Sequence, residues 1–162
     1  MIIVSNTSPL VNFAVIGQLA LLQQLYGKII IPQAVYDEIV IEGAGQPGAT
    51  EVKTFDWIEA QEVTDRILVT SLELELDSGE AEAIALAVSL KADLLLLDER
   101  KGRVVASRLG LNYIGLLGVL IEAKNQHLIN EVKPVMDDLI GKAGFWISQQ
   151  LYHYVLQVAG EV

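Results

Sequence analysis

The feature that most constrains the fold is a set of four short aliphatic runs, residues 2–5, 29–31, 94–97 and 113–114, separated by segments of helical pattern. The run at 94–97 is four leucines, stopped abruptly by Asp98 and Glu99. An unbroken apolar run of that length predicts a strand buried on both faces, because a half-exposed strand would alternate polar and apolar residues. Short strands of this kind, alternating with helices, predict a mostly parallel central sheet covered on each face. This is an α/β fold, a three-layer α/β/α sandwich. The 162 residues are long enough to bury one sizeable core and are read as one domain, 1–162.

The intervening segments fill in the pattern. Residues 10–25 read as helix with a break at Gly17, and 32–41 as a helix that Pro32 opens. The cluster Gly43, Gly45, Pro47 and Gly48 reads as a loop, and 49–76 as helical pieces. Asp77 and Ser78 offer a cap to an alanine-rich helix over 80–90. Further helices are predicted over 101–109, ended by Gly110, over 116–124 and over 134–140. A last helix is predicted with Ile147, Leu151, Val155 and Val158 as its apolar stripe. Phe145, Trp146, Tyr152 and Tyr154 are read as packing that helix, and His127 and His153 as isolated side chains without a metal or catalytic role.

Composition narrows the chemistry. With 52% apolar residues and 20% charged, the chain is not intrinsically disordered. It has no cysteine, so a disulfide framework, a thiolate metal site and a cysteine nucleophile are excluded, and a reducing, cytoplasmic setting fits. Any metal would be held by oxygen or by the two histidines. The net charge of −10 argues against nucleic-acid binding by a uniformly basic face and requires a local patch instead. No charged side chain occurs before Lys28, but Asn6, Thr7, Ser8, Pro9, Asn12, Gln18, Gln23 and Gln24 interrupt that stretch. It is therefore read as a buried strand and core helices rather than a membrane span or signal peptide.

In open parallel sheets, ligands bind beyond the carboxyl ends of the strands. That places Asn6, the Pro32 helix, Asp98 and Glu99 at the expected site. Helical spacing of about 100° per residue puts Glu38 beside Val35 and Ile39 on the inward stripe, with Asp37 opposite. The same arithmetic groups Glu80 with Ile84, Ala87 and Val88, and turns Glu82 to the other side with Ser89. Glu80 is thus the expected site acid and Glu82 its reserve. Clustered carboxylates repel one another unless protonated or bridged by a cation, so this edge suits a hard metal ion. Each acid has an alternative: Glu80 as a first-turn dipole partner, Glu38 as a surface partner of Lys28, and Asp98 as a helix cap. Arg100, Lys101 and Arg103 form the densest basic patch, and a solvated helix surface and a phosphate-binding role both account for it. There is no GxGxxG, Walker loop or nucleophile elbow.

The strings VSNTSPLVNF, IIIPQAVYDEIV, DSGEAEAIALA, LLLLDERKGRVVASRLGL and GLLGVLIEAK, in this order and spacing, resemble the PIN-domain family. The similarity is to its compact prokaryotic branch, including VapC-like toxins, and covers residues 2 to about 160. This resemblance implies an α/β/α domain in which acidic residues bind Mg²⁺ or Mn²⁺ and hydrolyse RNA phosphodiesters. Many relatives are homodimers, and many are toxins neutralised by a small antitoxin protein. Carried over residue by residue, the resemblance implies Asn6, Glu38, Glu80 and Asp98 as metal ligands, with Glu99 as an extra one. Glu38, Glu80 and Asp98 would be catalytic, and Thr7, Ser8, Arg100 and Arg103 would contact substrate. Asn6 departs from the family, which usually has aspartate there. An amide oxygen can ligate Mg²⁺ but brings no charge and cannot deprotonate water. Two further readings stand beside the nuclease: a catalytically silent PIN fold that binds RNA or protein, and a flavodoxin-like ligand-binding domain.

Overall fold

The computed structural model describes all residues, 1–162. Five parallel strands form one sheet in the order β3-β2-β1-β4-β5. They are β1 (Ile3–Ser5), β2 (Ile29–Pro32), β3 (Ile58–Gln61), β4 (Leu94–Leu96) and β5 (Tyr113–Ile114). In register, β1 pairs Ile3 with Leu94 and Ser5 with Leu96, and β4 pairs Leu95 with Tyr113. Side chains alternate across the sheet as the strand period requires. Ile3, Ile29, Ile31 and Leu96 enter one core, and Val4, Leu95 and Leu97 enter the other. Ten α-helices cover the two faces, completing the three-layer sandwich expected from the alternation.

The helices are α1 (Thr7–Val15), α2 (Ala20–Tyr26), α3 (Gln33–Tyr36), α4 (Ala49–Thr54), α5 (Arg66–Leu72), α6 (Ser78–Leu90), α7 (Arg100–Arg108), α8 (Leu116–Asn125), α9 (Val132–Gly141) and α10 (Gln149–Val158). The uncharged N-terminal stretch is β1, α1 and α2, split at Gly17 (φ +70°), and no helix is long and apolar enough to cross a membrane. In α6, Ala81, Ala83, Ala85 and Ala87 are all buried, and their small side chains let the helix lie close to the sheet. Leu95, Leu96 and Leu97 are fully buried, each contributing about 2 kcal/mol of apolar burial.

Three local expectations need correction. The segment 49–76, read as helical pieces, contains β3, a fifth strand that pairs with β2 from Ile29–Ile58 to Pro32–Gln61. Its sequence mixes Glu59 and Gln61 with Ile58 and Ala60 because it lies at the sheet edge, where half its surface faces water, so it lacks the apolar signature of the inner strands. The helix expected over 32–41 is α-helical only to Tyr36 and continues as a π-helical segment, Asp37–Glu42. On α10, Val155 and Leu156 are buried while Leu151 and Val158 are exposed, so the inward face is rotated from the expected stripe. Phe145 and Tyr152 do pack on the core, but Trp146 and Tyr154 project into solvent.

Candidate functional site

The strand order reverses between β1 and β4, and in such sheets the crevice at this switch point is where ligands bind. Asn6 follows β1 and Asp98 follows β4, so the two flank that crevice. Asn6 is buried, and its backbone N–H donates to the Leu96 carbonyl at 3.1 Å, tying the two strand ends together. It occupies the N-cap position of α1 without capping it through its side chain. An open cleft of about 230 Å³ runs from here, lined by Asn6, Thr7, Ser8, Glu38, Asp77 and Glu99 among others.

Glu38 reaches this cleft from an exposed position, not from the buried stripe that 100° spacing assigns it. The π-helical winding, closed by a bond of 3.0 Å from the Gly43 N–H to the Glu38 carbonyl, turns each residue less than an α-helix does. Val35 and Ile39 stay buried, and the Glu38 carboxylate swings to the strand ends. There Thr7 Oγ1 donates to Glu38 Oε2 at 2.8 Å. Gly79 makes room for the group: a Cβ on it would lie 3.0 Å from Glu38 Oε2, 3.5 Å from Asn6 Oδ1 and 3.6 Å from Asp77 Oδ1.

Asp77 is the residue that sequence reasoning read only as a cap. It does cap α6, accepting the Glu80 N–H at 2.8 Å, but the same carboxylate faces Asn6 and Glu38. Its position one turn before Glu80 was the available signal. Glu80 is 7% exposed and packs against Gly102, whose Cβ would meet its Oε2 at 3.2 Å. Burial, then the Asp77 carboxylate and, more weakly, Glu99 disfavour its charge and push its pKa up to about 7.

Asp98 lies deeper. Its Oδ1 accepts the Leu116 N–H at 3.0 Å and faces Arg103 Nη2 at 3.3 Å, while its Oδ2 is buried with no partner. Burial raises its pKa; the Leu116 N–H and Arg103 oppose the rise, and Glu99 adds to it. Glycine is required at position 115, since a Cβ there would fall 2.0 Å from Arg103 Nη2 and 2.6 Å from Asp98 Oδ1. Glu99 is the N-cap residue of α7 and borders the cleft.

Glu82 belongs elsewhere. It is 8% exposed rather than turned outward with Ser89. Its Oε1 accepts the Ala34 N–H at 3.0 Å, and its Oε2 takes Arg66 Nη1 at 2.8 Å. It therefore latches α6 to α3 and α5. Lys28 pairs with Glu59, leaving Glu38 free of it. Arg103 is engaged by Asp98 and by the Leu97 carbonyl at 3.1 Å, whereas Arg100 and Lys101 line a separate groove with Leu74 and Val104.

The donor set at this edge is all oxygen, and the partnerless Oδ2 of Asp98 and the buried Glu80 both fit a hard divalent cation. As the side chains stand, no three His, Asp or Glu residues converge tightly enough to hold one ion. Comparison with the curated proteins finds no match. The family model DUF3368, described as a PIN domain, matches residues 2–161. PIN domains are generally nucleases that use divalent metal ions. With all but the two terminal residues matched, this chain belongs to the PIN-domain family.

Proposed function

We propose that the chain is a metal-dependent ribonuclease that hydrolyses RNA phosphodiester bonds at the β1/β4 edge. The observation that carries this reading is the orphaned, buried Oδ2 of Asp98, which follows β4 at the sheet's switch point. A lone buried lone-pair acceptor is costly unless a cation or donor completes it. Asp98, Glu80 and Glu38 would hold Mg²⁺ or Mn²⁺, with Asn6 Oδ1 and Glu99 completing the set after side-chain adjustment. The cation, when bound, supplies Lewis-acid stabilisation of the charge developing on the scissile phosphate.

The chain's own residues have separable tasks. Thr7 orients the Glu38 carboxylate, and Leu116 N–H with Arg103 fixes that of Asp98. Glu80, whose burial and Asp77 neighbour disfavour its charge, would regain the charged form on holding the cation. Asn6 offers oxygen without charge, which lowers cation affinity relative to aspartate. Ser8 and Thr7 line the cleft and would contact substrate there, while Arg100, from its separate groove, and Arg103 would contact phosphates flanking it. We propose in addition, on the family resemblance alone, that the chain is a homodimer and the toxin of a pair with a small antitoxin. Sedimentation of the purified protein and co-purification with a neighbouring gene's product check those two points.

The test is cleavage of a mixed RNA panel in Mg²⁺ and Mn²⁺ by the native chain, Asn6→Asp and Asp98→Asn. The reading expects native cleavage, faster with Asn6→Asp and abolished with Asp98→Asn. Undiminished cleavage by Asp98→Asn would overturn it. Asn6 itself favours a second reading, a catalytically silent PIN fold that binds RNA or protein. That reading predicts cleavage by Asn6→Asp alone.

A further inference from the structure

We propose that the pocket on the far side of Asp98 is a stacking subsite in which Arg103, Tyr113 and Trp146 hold one unpaired nucleobase of the substrate. The proposal rests on the nuclease reading above. The pocket has a volume of about 500 Å³ and is walled by Asp98, Arg103, Tyr113, Phe145 and Trp146. It therefore opens at the carboxyl ends of β4 and β5, in continuity with the site. Its floor lacks side chains at Gly115 and Gly118, where a Cβ would strike Arg103 and Ile114, respectively.

The walls are flat and π-faced. The Arg103 guanidinium carbon lies 5.7 Å from the Tyr113 ring centroid, and its Nε and Nη2 bonds to Leu97 and Asp98 hold that plane in place. Trp146 is 82% exposed, though its neighbour Phe145 is packed into the core. Aromatic rings and guanidinium planes stack on unpaired bases with little sequence preference, and the Arg103 plane stacks as a π-face even while its edge is paired with Asp98. A base still paired in a duplex is held in its own stack and cannot enter. Leu151 of α10 also lines the pocket and, with the exposed Tyr154 and Val158, continues it into an apolar face that a second copy could cover. An apolar partner seated over Arg103 and Asp98 would bury their charges with nothing to hydrogen-bond them, whereas a base brings polar edges, so the pocket itself favours a base.

Trp146 emission tests this directly, with buried Trp57 as the unperturbed reference. A short oligoadenylate strand end-labelled with fluorescein, and the same strand annealed to oligouridylate, are titrated with the native chain, Trp146→Phe and Trp146→Ala in Ca²⁺ buffer; anisotropy of the label reads binding in all three, and unlabelled strands read Trp146 quenching in the native chain. The expected result is quenching by the single strand and not by the duplex. Binding should weaken about tenfold in Trp146→Ala and be retained in Trp146→Phe. In the cleavage assay, Trp146→Ala should raise KM with little change in kcat. Native affinity in Trp146→Ala, or equal quenching by the duplex, overturns the proposal. If that variant instead keeps RNA affinity and converts a dimer to a monomer, the face joins two copies. If cleavage depends on Asp98 but not on Trp146, only the stacking site falls. Absence of RNA binding and of cleavage in every variant removes both.

Discussion

Gly115→Ala should destabilise the protein through a side-chain collision alone. Gly115 has φ −96° and ψ −179°, extended backbone that alanine adopts freely, so no conformational penalty enters. The new methyl would sit 2.0 Å from Arg103 Nη2 and 2.6 Å from Asp98 Oδ1. Asp98 cannot retreat without losing the Leu116 N–H, so the guanidinium must leave. It forfeits a charge-assisted contact with a carboxylate that is 10% exposed, together with the Leu97 carbonyl bond. A charge-assisted bond contributes about 1.5–3 kcal/mol and a neutral one about 1. Because Arg103 is itself about a third exposed and regains water, we expect a net loss of about 2–3 kcal/mol. At this chain length that lowers Tm by about 5–10 °C. Urea unfolding measures it, with Gly141→Ala as control. No atom lies within 4 Å of that Cβ, so this variant should match the native chain or exceed it by up to about 1 kcal/mol. If Gly115→Ala unfolds within about 0.5 kcal/mol of native, Arg103 is not seated against Asp98 and the account of that carboxylate fails.

Glu82→Ala should cost about 2–3 kcal/mol by orphaning the Ala34 N–H and freeing Arg66, yet leave RNA cleavage intact; lost cleavage with unchanged stability would make Glu82 a site residue. Glu80, with its pKa raised to about 7, keeps in the folded chain a proton that the unfolded chain releases. Its contribution is full below about pH 4.5 and is lost as pH rises through 7. Urea midpoints should therefore fall over that interval, less so in Glu80→Gln, while Mn²⁺ affinity rises; parallel pH profiles for the two proteins would contradict this. The buried Tyr26 hydroxyl has no partner, so Tyr26→Phe should leave stability unchanged or raise it by up to about 1 kcal/mol in thermal melts. Glu161 accepts the Val132 and Lys133 N–H groups at the start of α9 and pairs with Lys124. Glu161→Ala should therefore cost about 1–2 kcal/mol and speed amide exchange in that turn.

The sandwich was legible because Leu94–Leu97 and Ile29–Ile31 are buried on both faces and carry no competing pattern. The edge strand β3 was not, since Ala60 is exposed and Glu59 and Gln61 are only half-buried, and pairing with β2 makes that segment extended. Asn6, Asp98 and Glu99 lie at the strand ends where their places in the sequence put them, a rule about backbone topology that side-chain packing does not disturb. Glu38 reached the cleft although the helical arithmetic that selected it assumed the wrong winding; no local residue announces the π-helical segment. Asp77 and Glu82 show the complementary failure. Each was assigned from one helix considered alone, whereas Asp77 lines the cleft beside Gly79 and Glu82 is held by partners 16 and 48 residues away. The outward turn of Trp146 had no signal at all, since an aromatic residue beside Phe145 reads equally as core.

Crystals of the native chain soaked in Mn²⁺ and measured for anomalous scattering test the central claim most directly. The account predicts a peak at the β1/β4 edge within ligand distance of Asp98 Oδ2 and at least one of Glu80 and Glu38, and no such peak in Asp98→Asn. A peak elsewhere, or full occupancy of the same position in Asp98→Asn, would contradict it.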